Sequence, residues 1–449
     1  MSQALTDPRT AGSGWTLGMV GLGVMGRNFL LNLAERGFPV AGCDRDPAKV
    51  AQLRETGRPL GVAGTDGLRA LVAGLRTPRT VMLLVPAGDP VDAALAELAP
   101  LLAPGDLVID GGNSHFRDTD RRGAQLRAQG LEFMGLGVSG GEEGARRGPS
   151  LMPGGSPEAY RRVGPLLEAA AARAGGDPCV ALLGPGSAEH FVKMVHNGIE
   201  YALMELIAES YDLMKRGLGL GNGAIGQAFR DWDAGVLGGF LVEITAGIFA
   251  QRDPRTGGDL VDAVLGVARQ MGTGQWTSQS ALELQVPAPT IDLAVAQRDL
   301  SALDALRAQA SRALPRPVGR LDGDPATFLP HLERALHASM AVAFAQGFAL
   351  LAAASERYGY HLDLATVARI WRGGCIIRAG LLEPIAAAYG RRPDLVHLLL
   401  DPDVARAVQD REDDLRAVVG AGARVCRSRG SCPPWPTWTA CAAPGSRPT

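Results

Sequence analysis

The chain has 449 residues, 46% apolar, 20% charged and 5% aromatic, with a formal net charge of −2. At about 100 to 200 residues per domain this makes two or three domains with ample core, and the even charge balance gives no case for nucleic acid or an anionic membrane surface as partner. It leaves room for a small anionic substrate, and no apolar run approaches the roughly 20 residues of a membrane span.

Residues 1–15 open with MSQALTDPRTAGSG, which lacks the apolar core of a signal peptide. They are expected to be a disordered lead-in, with the cytoplasm as compartment. Residues 16–21 (TLGMVG) then read as a short buried strand. Gly21-Leu22-Gly23-Val24-Met25-Gly26 follows at once, then an amphipathic helical stretch to about Arg36 and a second strand over Pro39 to Cys43. Asp44 stands about 20 residues beyond the glycine fingerprint, the spacing of a ribose-binding acid. In this strand–glycine loop–helix–strand context the three glycines serve a tight turn, close approach to a pyrophosphate, and helix–strand contact. The helix N-terminus then faces the phosphates of a dinucleotide.

Further strands are expected at Thr80 to Val85, Leu107 to Asp110, Leu131 to Met134 and Val180 to Leu183, with a helix from Val91 to Leu102. This alternation implies an α/β Rossmann-type doubly wound domain over residues 16–186. Ligands of such a sheet gather at the carboxyl ends of its strands, here near Val85-Pro86-Ala87 and Gly111-Gly112-Asn113. Asn113 is placed to bond both cofactor and substrate. Gly135 to Gly141 (GLGVSGG) follows a strand, and its glycine amides with the Ser139 hydroxyl suit an anion-binding nest.

From about Ser187 the character changes to long Ala- and Leu-rich helical segments, a large all-α domain over residues 187–422. A weak internal repeat runs through it. YALMELIAESYDLMKRGLGL, then Trp232 and Glu243, is echoed about 140 residues later by FAQGFALLAAASERYGYHLD, then Trp371 and Glu383. At its start, Lys193, His196, Asn197 and Glu200 follow i, i+3, i+4, i+7 and share one face of a helix, while Met194, Val195 and Ile199 fall elsewhere and can pack.

Only three basic residues are lysines, Lys49, Lys193 and Lys215. A lysine surviving among so many arginines is a candidate for work that a permanently charged guanidinium cannot do, such as acting as a base. The six cysteines, at 43, 179, 375, 426, 432 and 441, show no metal-ligand spacing, so neither a metal nor a disulfide framework is expected.

Together GLGVMGRN, LVIDGGNSHFRDT, GVSGGEEGARRGPSLMPGG, HFVKMVHNGIEYALMELI, GTGQWT, AQGFALL and WRGGCIIRAG make the family recognisable. From about Leu17 to Gly422 the chain resembles the decarboxylating 6-phosphogluconate dehydrogenases. The resemblance implies a homodimer that oxidises 6-phosphogluconate at C3, releases the C1 carboxylate as carbon dioxide and yields ribulose 5-phosphate. By the same resemblance Lys193 is the base at the C3 hydroxyl and Glu200 the acid that protonates C1 of the enediol left after carbon dioxide departs. Ser139, Gly140 and Gly141 then hold the substrate carboxylate. Asn113, His196 and Asn197 bond its hydroxyls, and Tyr201 and Arg298 contact its phosphate.

Departures from the family pattern are also visible. Met271 and Gln275 stand where lysines are usual, and the lysine usual at Pro86 is gone. Asp44-Arg45-Asp46 replaces the usual Asn-Arg-Thr. Arg45 suits the 2′-phosphate of NADP, whereas Asp44 and Asp46 suit the free hydroxyl of NAD, so NADP is expected with NAD open. Beyond Gly422 the chain reads ARVCRSRGSCPPWPTWTACAAPGSRPT, with three of the six cysteines and five prolines in 27 residues. This segment, 423–449, has no helical periodicity and is expected to be a frame-shifted tail. The resemblance then implies that an Arg and a His for the partner's phosphate site are missing, that an apolar surface is left exposed, and that activity is weak.

Overall fold

Alternation decides the core of the first half. In Leu17-Gly18-Met19-Val20 successive side chains leave the strand on opposite faces, and both faces are apolar, as a central parallel strand requires. Leu17 and Met19 join one hydrophobic cluster with Phe29, Leu33, Ile109 and Leu167. Val20 joins another, with Val81, Leu83, Val91, Val108 and Leu126. Helices therefore cover both faces of the sheet.

The structure is a computed structural model that describes residues 14–313, 319–321 and 323–427. The strands and helices of the first half run β1 (Leu17–Val20), α1 (Val24–Glu35), β2 (Val40–Cys43), α2 (Pro47–Gly57), β3 (Ala63–Gly64), α3 (Leu68–Ala73), β4 (Thr80–Leu83) and α4 (Asp89–Leu98). They continue with β5 (Leu107–Asp110), α5 (Phe116–Arg127), β6 (Glu132–Ser139), α6 (Gly141–Arg147), β7 (Ser150–Gly155) and α7 (Pro157–Ala170). The sheet order is β3-β2-β1-β4-β5-β6-β7. Every neighbouring pair is parallel except the last, in which Gly135 stands opposite Gly154 and Gly137 opposite Met152. The order reverses between β1 and β4, the switch point at which doubly wound sheets bind ligands.

The second half is helical: α8 (Ala188–Asp212), α9 (Asn222–Asp233), α10 (Phe240–Ile248), α11 (Leu260–Ala263), α12 (Thr273–Glu283), α13 (Pro289–Ala302) and α14 (Asp304–Ala313). Then follow α15 (Pro325–Tyr358), α16 (Leu364–Ile370), α17 (Leu382–Arg391), α18 (Pro402–Gln409) and α19 (Glu412–Arg427). The element order repeats as the sequence repeat suggests: a long helix, a helix ending at or next to a Trp, then a helix with a Glu in its first turn. The repeats meet at an antiparallel bridge between Gly239 and Ala379, 140 positions apart. Its hydrogen bonds are reciprocal, Phe240 N–H to the Arg378 carbonyl at 3.0 Å and Gly380 N–H to the Gly238 carbonyl at 2.9 Å.

The chain divides into two compact units. One holds the residues up to Met194 and takes back Ala354–Ile376; the other holds Val195–Ala353 and the residues from Ile377 on. The first turns of α8 and the Trp371 to Cys375 motif fall in the first of these units.

Several expectations are corrected. The strand foreseen at Leu131 to Met134 continues to Ser139, so Gly135 and Gly137 lie in β6 and not in a nest. Glycine favours loops by propensity, yet here it serves the close approach of a helix to the sheet. Val180 to Leu183 forms no strand. It runs along the outer edge of β7, with one bridge between Leu151 and Val180 and a bond from Leu183 N–H to the Pro153 carbonyl at 2.9 Å. Helix α15 is long and apolar enough to cross a membrane, at a mean hydropathy of 1.6, but 78% of that window is buried inside the protein. That apolar stretch belongs to the core. The helix α19 also carries on through Arg427, five residues past the expected break at Gly422. Residues 1–13 of the expected lead-in and 428–449 of the expected tail lie outside the described residues.

Candidate active site

The glycine loop is shaped as its spacing implies. Gly21 has φ +99°, open only to glycine without strain. A side chain on Gly26 would strike the Gly21 carbonyl, so α1 packs closely on β1. Nothing stands within 4 Å of where a Cβ on Gly23 would lie, which leaves the start of α1 (Val24, Met25) open to a pyrophosphate. The loop is tied to the end of β2, because Leu22 N–H donates to Asp44 Oδ2 at 2.7 Å. Asp44 also accepts from Asp46 N–H at 2.9 Å and faces Lys49 Nζ at 3.6 Å. Asp46 caps α2 by accepting from Ala48 N–H at 2.9 Å. Exposed Arg45 reaches Glu97 at 2.5 Å. Both acids of the Asp44-Arg45-Asp46 triplet thus have structural occupations, and Arg45 is held only by a surface pair.

Two loops at the carboxyl ends of β4 and β5 are braced by a residue that sequence reasoning missed. Arg122 on α5 has no side-chain exposure and donates to Asp92 at 2.9 and 3.0 Å, to the Gly88 carbonyl at 3.0 Å and to Ser114 Oγ at 3.1 Å. Hydrogen bonding to Arg122 pulls the Asp92 carboxyl down to about 2. Ser114 Oγ donates to Asp110 Oδ2 at 2.7 Å, and Gly112 N–H to Asp110 Oδ1 at 3.1 Å. This clamp fixes the approaches to Val85-Pro86-Ala87 and to Asn113, which is exposed at the tip of its loop. The visible signal was an arginine in a helix whose neighbours alternate with acids, which spacing alone does not distinguish from a solvated face.

The turn after β6 is walled by the returning segment. Ser139 is buried, Gly140 has φ +123° and Gly141 φ +62°. A side chain on Gly140 would strike the Gly374 carbonyl. That carbonyl accepts from Ser150 N–H at 2.8 Å, and Ser150 Oγ donates to the Ile370 carbonyl at 2.8 Å. The sequence showed WRGGC as a motif but not that it folds back against β7.

Helix α8 carries Lys193, His196, Asn197 and Glu200 on one face, as their spacing requires. Lys193 is 6% exposed and His196 fully buried. The Lys193 side chain leaves the helix over Gly137, where an added Cβ would come within 2.9 Å of its Cβ. His196 Nδ1 donates to Asn197 Oδ1 at 3.0 Å, and Asn197 Nδ2 donates to Thr273 Oγ1 at 3.1 Å. Glu200 Oε2 lies 3.9 Å from His196 Nδ1. The other two lysines take up ion pairs, Lys49 with Asp44 and Lys215 with Asp262 at 3.4 Å, work open to arginine. Lys193 alone of the three is buried.

One helical turn on, Tyr201 packs against Gly274 of α12, and the Arg298 guanidinium of α13 lies over its ring at 3.5 Å. Met271 is 88% exposed. A second missed residue is Glu189, four positions before Lys193. It is fully buried, with Oε1 3.4 Å from the ring Nδ1 of His190. Burial holds this carboxyl well above the usual carboxylate range, and nearby Asp120 and Asp110 push the same way.

A dinucleotide sheet joined to a helical unit through a helix bearing a buried lysine defines a nicotinamide-dependent oxidoreductase. Residues 16–184 match the NAD binding domain of 6-phosphogluconate dehydrogenase, and residues 189–427 its C-terminal domain. The chain belongs to the 6-phosphogluconate dehydrogenase family. It is 48% identical over 412 residues to 6-phosphogluconate dehydrogenase, decarboxylating, of Synechocystis sp., covering 90% of this chain and 85% of that one. It is 45% identical over 404 residues to the NADP(+)-dependent decarboxylating enzyme of Bacillus subtilis, covering 90% and 86%. Among solved structures it is similar to Plasmodium falciparum 6-phosphogluconate dehydrogenase, studied apo and with NADP+ or 6-phosphogluconate, at 37% identity and TM-score 0.89, covering 95% and 91%.

Proposed function

We propose that this chain converts 6-phosphogluconate to ribulose 5-phosphate and carbon dioxide with reduction of NADP. The observation that carries the reading is buried Lys193 on the polar face of α8, in a chain 48% identical to a decarboxylating member of the family. The residues at the switch point fit a dinucleotide: Gly21, Gly23 and Gly26 leave a cradle that a Cβ at Gly21 or Gly26 would fill, and Gly23 faces open space. NADP, when bound there, accepts the hydrogen of C3 with its electron pair.

Lys193, in its neutral form, takes the proton of the C3 hydroxyl. Its ammonium then donates to the new C3 carbonyl oxygen and stabilises the negative charge that gathers there as the C1–C2 bond breaks and carbon dioxide leaves. Lys193 returns its proton to that oxygen, giving an enediol. Glu200 then donates a proton to the former C2, which becomes C1 of the product, while Lys193 takes back the proton of the enediol hydroxyl on the former C3, and the enediol becomes ribulose 5-phosphate. The Ser139-Gly140-Gly141 turn holds the carboxylate before it leaves. Asn113, His196 and Asn197 bond the hydroxyls, and the bonds from His196 through Asn197 to Thr273 keep those side chains oriented. Tyr201 and Arg298 hold the phosphate.

The assignment of NADP over NAD is supported by the occupation of Asp44, whose carboxylate is taken up by the Leu22 and Asp46 amides and by Lys49 and so is drawn away from the role of ribose acceptor. A homodimer is supported by exposed apolar side chains of the helical unit, Val264, Leu265 and Leu282 among them. A cytoplasmic setting is supported by Cys43, Cys179 and Cys375, which are buried and stand outside any disulfide among the described residues. The decisive experiment is an assay of the full chain with 6-phosphogluconate, run in parallel with NADP and NAD. Reduced cofactor and carbon dioxide are expected in equal amounts; oxidation without carbon dioxide release, or no turnover, overturns the reading.

A further inference from the structure

The buried guanidinium of Arg122 divides its fork between two turns of the sheet unit. Toward the turn after β4, Nε and Nη2 donate to the two carboxyl oxygens of Asp92 at 2.9 and 3.0 Å, and Nη2 also donates to the Gly88 carbonyl at 3.0 Å. Toward the turn after β5, Nη1 donates to Ser114 Oγ at 3.1 Å and stands 3.5 Å from Asp110 Oδ2. Asp110 is buried as well, and accepts from Gly112 N–H at 3.1 Å and from Ser114 Oγ at 2.7 Å. Asn113 therefore sits on a short arch. Both its neighbours are tied to Asp110, and Ser114 is tied to Arg122 besides. A lysine, whose donors leave from a single nitrogen, cannot hold both turns in this way.

The place of this clamp in the sheet sets what it can influence. In a doubly wound sheet a dinucleotide lies across the switch point, and the end of β2 marks the side of its adenosine ribose. The turns after β4 and β5 stand on the other side of that point, where the nicotinamide half falls. We propose that Arg122 is a positioning residue for the nicotinamide half of the cofactor, holding the Gly88 and Asn113 turns in place before the dinucleotide arrives. The inference rests on the proposed reaction only in taking NADP as the dinucleotide. Turns already ordered lose little conformational freedom when a ligand settles on them, and that saving appears as affinity. Without the clamp the loss falls on one half of the cofactor. The other half is held by Gly21 to Gly26 and by the residues after β2, which the Leu22 to Asp44 bond joins independently.

The test is calorimetry on the full-length protein with two probes, NADP and 2′,5′-ADP, the second of which lacks the nicotinamide half. Ser114→Ala removes the bonds of Ser114 Oγ to Asp110 and Arg122 and leaves Arg122 on Asp92. Arg122→Lys keeps the charge and removes the fork. NADP affinity is expected to fall about threefold in Ser114→Ala and about tenfold in Arg122→Lys, the scale of hydrogen bonds to charged groups. Affinity for 2′,5′-ADP should stay at the wild-type value in both, which also shows that they are folded. If Arg122→Lys does not fold, Ser114→Ala carries the comparison. The control is Arg121→Gln: Arg121 donates to the same Asp92 carboxyl from the surface, and its loss should leave NADP affinity unchanged. Equal losses for the two probes, no loss with NADP in Ser114→Ala, or a loss in Arg121→Gln as large as that in Ser114→Ala overturns the proposal. The readout uses no 6-phosphogluconate, so failure of the proposed reaction is seen separately, as a wild type that binds NADP and turns nothing over.

Discussion

The carboxyl of Glu189 occupies the space that a side chain on Gly135 would need, and its other oxygen stands where a side chain on Gly154 would be. Gly135 and Gly154 are direct cross-strand partners in β6 and β7. Two facing glycines thus open a slot in the sheet, and the first turn of α8 lowers an acid into it. Ionising that acid in a fully buried slot is unfavourable, so the folded state holds its proton to higher pH than the unfolded chain, in which a Glu titrates near about 4.3. Above that pH the native state binds more protons than the unfolded state, so stability falls as pH rises toward the folded-state value. Glu189→Gln removes this slope. Thermal melts are expected to coincide near pH 4 and to favour the variant increasingly toward pH 8. A variant that melts below the wild type at pH 8 would show that Glu189 is a favourably paired carboxylate.

The slot also predicts a suppressor. Gly135→Ala places a methyl group against the Glu189 carboxyl and is expected to destabilise the protein by about 1–3 kcal/mol, the cost of overpacking. Glu189→Ala empties the slot. The double variant should recover much of the loss, and a denaturant-unfolding double-mutant cycle reads the coupling. Strict additivity of the two changes would mean that the backbone shifts to relieve the collision.

Much of the sheet unit was legible from residue order. The TLGMVG–GLGVMG pairing fixes β1, the glycine turn and α1 because each glycine there has one physical role. The polar stripe of Lys193, His196, Asn197 and Glu200 was equally open to reading, since a helical period needs no tertiary knowledge. The strand from Gly135 to Ser139 was not: isolated glycines look like a loop until the partner strand and the approaching helix are known. Glu189 and Arg122 escaped for a related reason. A lone acid at the start of a helix and an arginine among acids look solvated in sequence, and only the tertiary contacts bury them. The return of residues 354–376 to the sheet unit is likewise a long-range event with no local sign.

Lys193→Arg separates a titratable base from a mere positive charge. The guanidinium keeps the charge and approximate length but does not give up its proton. Turnover is expected to fall at least about 100-fold, the lower range for general acid–base catalysis. NADP binding, measured by fluorescence titration, should be unchanged, because the glycine loop is formed by other elements. A variant keeping a tenth of wild-type turnover would remove Lys193 from the role of base.

Asp46→Ser tests the choice between NADP and NAD. Asp44 is held in place by the Leu22 and Asp46 amides and by Lys49, so it does not swing toward a ribose at low cost. Asp46 is exposed, and the amide it caps belongs to α2. A 2′-phosphate arriving beside Arg45 would therefore meet the Asp46 charge. Serine is as good a cap as aspartate, so Asp46→Ser removes the charge and keeps the helix start. Arg45 must leave Glu97 to reach the phosphate, which is inexpensive for an exposed pair. The ratio of kcat/KM with NADP to that with NAD should rise by about threefold in Asp46→Ser, the scale of one exposed charge. Glu97→Gln, which frees Arg45, should move the ratio in the same direction. If the ratio stays put in Asp46→Ser while the melting temperature is unchanged, the side chain of Asp46 does not face the 2′ position, and the capping bond to Ala48 is its whole role.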